Sequence, residues 1–311
     1  VRFLQQFRQL FTKPASTAPD RSFGLIEQLG IEEMLAQRQW TQLETTAAQL
    51  PTDDLTRLLD GLCLTDTYAD GLAAYQRAGQ SDLRRLVAGV HATHVAWQIR
   101  GGAYAKYVGK AQAEGFHKHL EDAFDWLNEP FATPSYEAER AARIVRVAMG
   151  MSEPNLAQEA FEHAIQLVPD HLQAHLFYFN VLTPKWFGDE EKLEQFVDVA
   201  AASALQPLLQ TMYAVELLNN ADDGTEIVKQ QVRNELAPRL KTLARYTPLP
   251  NDTLYAVYFN NYLAGLCHAL GQLPTRNTYL EVLSNRITYY PWAYYGLLDA
   301  SAVQRLAQPT S

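Results

Sequence analysis

The sequence predicts an all-α protein, an α-solenoid of stacked helix pairs with irregular repeat lengths. Three observations predict it. Apolar residues recur at i, i+3 and i+4 along most of the chain, the period of a helix with one buried face. No stretch of four or more residues alternates apolar and polar between hairpin turns, so nothing reads as a strand. One spacing also occurs twice, Ala157-x3-Phe161-x2-Ala164-x4-Pro169 and Tyr279-x3-Leu283-x2-Arg286-x4-Pro291, each followed by an aromatic run. A helix pair of this kind cannot bury its own apolar face and must stack on neighbours.

Whole-chain quantities narrow the class. The 311 residues are 47% hydrophobic and 20% charged, which suits a folded domain and excludes wholesale disorder. Lys and Arg number 26 against 35 Asp and Glu, a formal net charge of -9. Such a chain has no general pull toward nucleic acid, because counterion release needs cations, and it would attract a basic partner. Cys63 and Cys267 lie far apart in apolar helical contexts, without metal-ligand spacing, and read as free buried thiols. No run approaches the roughly 18 apolar residues of a membrane span. The N-terminal stretch lacks the three parts of a secretory signal, so a cytoplasmic location is expected.

Along the chain, residues 1–20 read as an amphipathic helix and a tether. Phe3, Leu4, Phe7, Leu10 and Phe11 share one helix face with Arg2 and Arg8 beside them, and TKPASTAPD follows. This helix either caps the domain or touches a membrane surface or a partner groove. Residues 21–82 form an N-terminal helical region: short helices around Gly30, then Leu43–Leu50, Leu55–Leu64 with Asp53 as its cap, and Thr67–Ala78 stopped by Gly79. Residues 83–311 are the repeat region. Ser81 caps a long helix through Leu86, Val90, His94 and Trp97, and Trp97-x-x-Arg100-Gly101-x-x-Tyr104 is expected to continue it on one face. Phe116 to Leu127, Ala138 to Met149 and Asn155 to Val168 give the next helices. Then come an aromatic helix at Leu176–Phe179, a corner at Pro184–Gly188, and helices at 190–202, 208–218, 225–245 and 253–270. Pro238 is expected to kink or break the third of these.

With these phrases in view, the chain resembles tetratricopeptide-like helical-repeat proteins. More narrowly, over Leu83 to Leu218, it resembles a bacterial family that pairs a W-x-x-R-G helix (Trp97, Arg100, Gly101) with a later P-K-W-x-G corner (Pro184, Lys185, Trp186, Gly188). That family usually has two glycines after the tryptophan, where this chain has Phe187-Gly188. The resemblance implies a fold and carries no activity; helical repeats as a class are partner-binding surfaces.

Each candidate chemistry meets a structural alternative. His171 and His175 are at i, i+4 and His91 and His94 at i, i+3, so each pair shares a helix face, yet no H-E-x-x-H or C-x-x-C accompanies them. Asp189, Glu190 and Glu191 suit a helix N-terminus, and Asp222-Asp223-Gly224 reads as a turn. There is no G-x-S-x-G and no Walker-type loop. The expected function is a non-catalytic helical-repeat scaffold that binds a protein or peptide, possibly basic, with no cofactor and no metal. Arg100, Tyr104, Tyr178, Lys185 and Trp186 are the expected partner-binding residues, because Tyr, Trp and Arg make interface anchors. Two alternatives stand beside it: an immunity- or antitoxin-like protein that neutralises a basic toxin, and a metal-dependent hydrolase using His171 and His175.

Overall fold

The structure, a computed structural model, describes residues 20–101, 107–199, 203–222 and 224–307. The expected helix Val1–Phe11, most of its tether and Tyr104 lie outside the described residues. Among the described residues there are sixteen α-helices, one short 3-10 turn and no strand, so the chain is all-α. No helix among them is long and apolar enough to cross a membrane. The chain divides into two compact units, Val1–Gly188 and Asp189–Ser311. That division falls within the region 83–311 that the sequence treats as one array.

The first unit contains α1 (Leu25–Gln28), α2 (Ile31–Ala36), α3 (Trp40–Ala48), α4 (Thr52–Cys63), α5 (Ala69–Arg77), α6 (Asp82–Arg100), α7 (Lys110–Leu127), α8 (Pro134–Met151), α9 (Pro154–Leu167) and α10 (Leu172–Val181). Ser81 caps α6 as expected, its hydroxyl accepting from the Arg84 amide. Asp53 does not cap α4: Pro51 is the N-cap residue and Asp53 lies inside the first turn, where its charge still suits the helix dipole. The larger correction is at Gly101. Helix α6 ends at Arg100, and Gly101 leaves it at φ 65°, ψ -169°, a backbone that only glycine adopts freely. The glycine therefore stops the helix rather than admitting a neighbour to its face. The Gln112 side chain closes this end by donating to the Ile99 carbonyl (2.6 Å) and the Arg100 carbonyl (2.8 Å).

Helix α8 is the centre of the unit. Pro134 sits in its first turn and Ser152, at φ 66°, ends it. Glu153 N–H then returns to the Ala148 carbonyl (2.9 Å), and Pro154 opens α9. A two-residue connection of this kind makes an αα-hairpin. Fourteen of its 18 residues are buried, so α8 is enclosed on all sides rather than along one stripe. Helices α4, α6, α7, α9 and α10 all touch it. The repeat phrase of α9 supplies part of that cover, with Ala157, Ala160, Phe161 and Ala164 buried.

Four of the buried α8 residues are charged, and each has a partner. Glu139, fully buried, accepts from the Thr56 hydroxyl of α4 (2.7 Å) and from Arg143 Nε (2.7 Å). Arg143 Nη1 reaches Asp60 of α4 (2.7 Å). The imidazole of His171, at the N-cap of α10, puts Nε2 3.2 Å from Glu139. A second cluster forms two to three residues earlier. Glu137 accepts from Arg140 through both oxygens (2.6 Å each) and from the Phe131 amide (2.8 Å), and it meets His163 of α9 at 2.8 Å. Arg140 also donates to the Leu127 carbonyl at the end of α7. Burial alone would raise both carboxyls. Hydrogen bonds and charge instead bring Glu137 to about 2, through Arg140, the Phe131 amide and His163. They bring Glu139 to about 2 through Arg143, His171 and Thr56. Both thiols are free and buried, and burial pushes Cys63 up to about 12 and Cys267 to about 11.

The second unit contains α11 (Glu190–Val199), α12 (Gln206–Ala221), α13 (Glu226–Leu243), α14 (Leu254–Ala269), α15 (Leu273–Leu283), a 3-10 turn (Trp292–Tyr295) and α16 (Ala300–Arg305). Asp189 starts α11 by accepting from the Lys192 amide (2.8 Å). Pro238 does not break its helix: α13 runs through it as one element. The residue whose carbonyl loses its partner, Asn234, is exposed, so water can satisfy it. Arg239 then ties α13 to Glu194 (2.6 Å) and Asp198 (2.8 Å) of α11. The expected repeat near the C-terminus takes a different form. Helix α15 stops at Leu283, Arg286 lies beyond it, and the aromatic run after Pro291 is a 3-10 turn. Asn261 of α14 organises this segment. Its Oδ1 accepts from the Trp292 indole (2.8 Å) and the Thr288 amide (3.2 Å), and its Nδ2 donates to the Arg286 carbonyl (3.0 Å). Trp292 is fully buried in consequence.

Glu139→Ala is expected to cost about 3–5 kcal/mol in urea denaturation at pH 7, because it leaves Arg143 buried with only Asp60 opposite. The same groups set an acid limit. Their folded pKa values lie below the ordinary glutamate value of 4.5, so the unfolded chain binds more protons between there and about 2. Their contribution to stability is therefore complete above that window and lost as the pH falls through it. Denaturation curves at stepped pH check this, with Glu139→Gln expected to show the shallower loss.

Candidate functional site

The two phrases that stand out in the sequence, Trp97-x-x-Arg100-Gly101 and Pro184-Lys185-Trp186-x-Gly188, meet in the first unit. Trp97 and Trp186 pack edge to face with ring centres 5.4 Å apart, and Trp97 makes a similar contact with Phe116 of α7 at 5.2 Å. The Arg100 guanidinium lies 4.9 Å from the Trp186 ring centre, 5.5 Å from that of Trp97 and 5.8 Å from that of Phe116. Arg146 of α8 lies 3.5 Å above Trp97. Two cations thus rest on one aromatic group, an arrangement worth about 0.5–2 kcal/mol per contact.

The corner is built so that Trp186 reaches this group. After α10 the chain folds back on itself, with Trp186 N–H donating to the Thr183 carbonyl (2.9 Å) and Phe187 N–H to the Val181 carbonyl (3.1 Å). Gly188 then passes directly over Leu182: a Cβ there would stand 1.9 Å from the Leu182 carbonyl oxygen. Glycine is required at 188 by that approach, while Phe187 fits at the preceding position.

The expected partner-binding residues divide between this group and the surface. Arg100, 7% exposed, and half-buried Trp186 are brought together among rings of the chain itself. Lys185 is exposed on the corner. Tyr178, half-buried on α10, stacks on Phe161 of α9 at 4.3 Å and 5°. His171 and His175 are each hydrogen-bonded within α10. His171 is the N-cap residue of α10, with Nδ1 accepting from the Ala174 amide, and His175 Nδ1 donates to the His171 carbonyl (3.0 Å). Both are buried. Burial lowers the pKa of His175 from its ordinary value. Among the described residues no group of three His, Cys, Asp or Glu side chains is arranged to hold a metal.

A further feature is absent from the sequence reading. An open cleft of about 520 Å3 runs along α6 and α7 beside the end of α5. Its floor is small and apolar, made by Ala88, Ala92 and Val95 of α6. Its sides carry His91 from α6 and His119, Asp122, Asp125 and Trp126 from α7. Positions 88, 91, 92 and 95 follow i, i+3, i+4, i+7, and positions 119, 122 and 126 follow i, i+3, i+7, so each helix contributes one continuous face. Asp122, Asp125 and Trp126 are exposed, and Trp126 is 40% accessible. Burial lowers the pKa of His91 from its ordinary value, with Asp66 opposing and His119 adding to the effect. His119 Nδ1 lies 3.5 Å from Asp122. The signal in the sequence was an exposed tryptophan beside two aspartates one turn apart. What it lacked was the pairing of α6 with α7 that sets His91 opposite them.

No family model, no curated protein and no solved structure matches the chain.

Gly188→Ala is expected to lower stability by about 1–3 kcal/mol, since backbone must move to admit the methyl group. Trp186→Ala should lower it by about 2 kcal/mol through lost ring packing and cation–π contact. Lys185→Ala should stay within about 0.5 kcal/mol. Thermal melts of the three variants check this order; equal effects of Lys185→Ala and Trp186→Ala would show that the corner is not held by its indole.

Proposed function

We propose that the chain is a non-catalytic helical scaffold that binds a protein or peptide partner, and that the α6–α7 cleft is where the partner sits. The cleft is the observation that carries this. Its volume, about 520 Å3, is within the range of ordinary binding sites, and an exposed Trp126 stands at its edge. Tryptophan supplies anchor contacts at interfaces more often than its abundance would suggest. Asp122 and Asp125 are exposed at the rim, where charge steers a partner rather than holding a proton for transfer.

In the same proposal the helix pairs belong to a tetratricopeptide-like, right-handed solenoid with irregular repeats. The burial of Ala157, Phe161 and Ala164 between α9 and its neighbours supports that assignment. A cytoplasmic immunity- or antitoxin-like protein acting on a basic toxin is a narrower form of the proposal, supported by the net charge of -9.

Site-specific photo-crosslinking in the source cells tests the proposal. A photoreactive residue replacing His119 in the cleft is expected to give a defined adduct, and one replacing the exposed Glu159 of α9 is expected to give none of that size. The adduct should disappear when Asp122→Lys and Asp125→Lys are added. An adduct of the same size from both positions, or one indifferent to the charge reversal, would count against the cleft as the binding site.

A further inference from the structure

We infer that the α6–α7 cleft receives a cationic side chain, an arginine or a lysine presented by a basic partner protein; this rests on the cleft being the partner site. The charge and the shape of the cleft select that chemistry. Asp122 and Asp125 stand on one rim, and among the described residues no lysine or arginine lines it. The cleft is thus negative on balance, and an anionic occupant such as a phosphopeptide, a nucleic acid backbone or an acidic lipid headgroup would meet carboxylates without a compensating cation.

The shape matches the charge. An arginine or lysine has an apolar stem of three or four methylenes and a charged head. The floor of Ala88, Ala92 and Val95 offers the stem a surface without bulky side chains, and Asp122 and Asp125 offer the head two acceptors one helical turn apart. Trp126 lines the cleft, and its accessible ring gives the head an aromatic face. Of the two heads the guanidinium fits better, because its planar fork can bond a carboxylate while lying flat on an indole.

Titration of the full chain with N-acetylarginine amide, against its uncharged isostere N-acetylcitrulline amide, tests the inference. The indole signals are followed by nuclear magnetic resonance in protein carrying nitrogen-15 tryptophan. The Trp126 signal is assigned by its loss in Trp126→Phe. The arginine compound is expected to shift that signal saturably, and the citrulline compound to bind at least about 5-fold more weakly. In the Asp122→Asn, Asp125→Asn double variant, whose exposed positions do not disturb the core, the two compounds should bind alike.

Equal binding of both compounds to the unaltered protein would overturn the cation inference and leave the cleft as a binding site. A Trp126 signal moved by neither compound, together with a charge-sensitive adduct from position 119, would overturn it in the same way. No shift and no adduct would overturn both the inference and the reading on which it rests.

Discussion

A carboxylate with no exposure to solvent sits in the middle of the first unit, and residues on three helices hold it there. Glu139 needs Arg143 on its own helix, Thr56 on α4 and His171 at the start of α10. Removing a carboxylate from water costs several kcal/mol unless charge and hydrogen bonds replace the lost hydration. The geometry of α4, α8 and α10 is therefore constrained by this one group more tightly than apolar contact alone would require. Arg143 extends the constraint to Asp60, and Glu137 with Arg140 repeats the device toward α7 and α9. Helix α8 is surrounded because its charges have their partners on the helices around it.

That constraint reaches the features on the surface. Helix α8 carries Arg146 to the face of Trp97, and the Trp97 group receives Trp186 from the folded-back corner. The corner follows α10, whose N-cap is His171, a partner of Glu139. Helix α6 bears both Trp97 and the floor of the cleft. The cleft is accordingly set between helices that are fixed from below by buried charge and from one end by the aromatic group.

Much of the helical order was legible in the sequence because period and caps are local properties. Ser81, the Ala157–Phe161–Ala164 face and the Asp189 start of α11 all do what their residue types suggest. Gly101 was misread because a glycine that extends a helical face and one that ends a helix look alike until the backbone is seen. Pro238 and the Pro291 segment show the same limit: an exposed Asn234 lets a helix tolerate proline, and Asn261 gathers a C-terminal run into a turn instead of a helix. The charged core of α8 was hidden for another reason. Glu137, Glu139, Arg140 and Arg143 lie three and four apart, which reads equally well as a solvated face, and only partners far along the chain decide otherwise. The cleft likewise depends on which helix lies beside which.

Hydrogen exchange in Glu139→Gln tests the central role of that carboxylate most directly, because it reports each helix separately. If Glu139 couples the three helices, the amides of α4, α8 and the first turn of α10 will lose protection together, while those of the second unit keep theirs. Faster exchange confined to the turn of α8 around residue 139 would contradict the account, since it would mean that α4 and α10 hold their places without the buried charge.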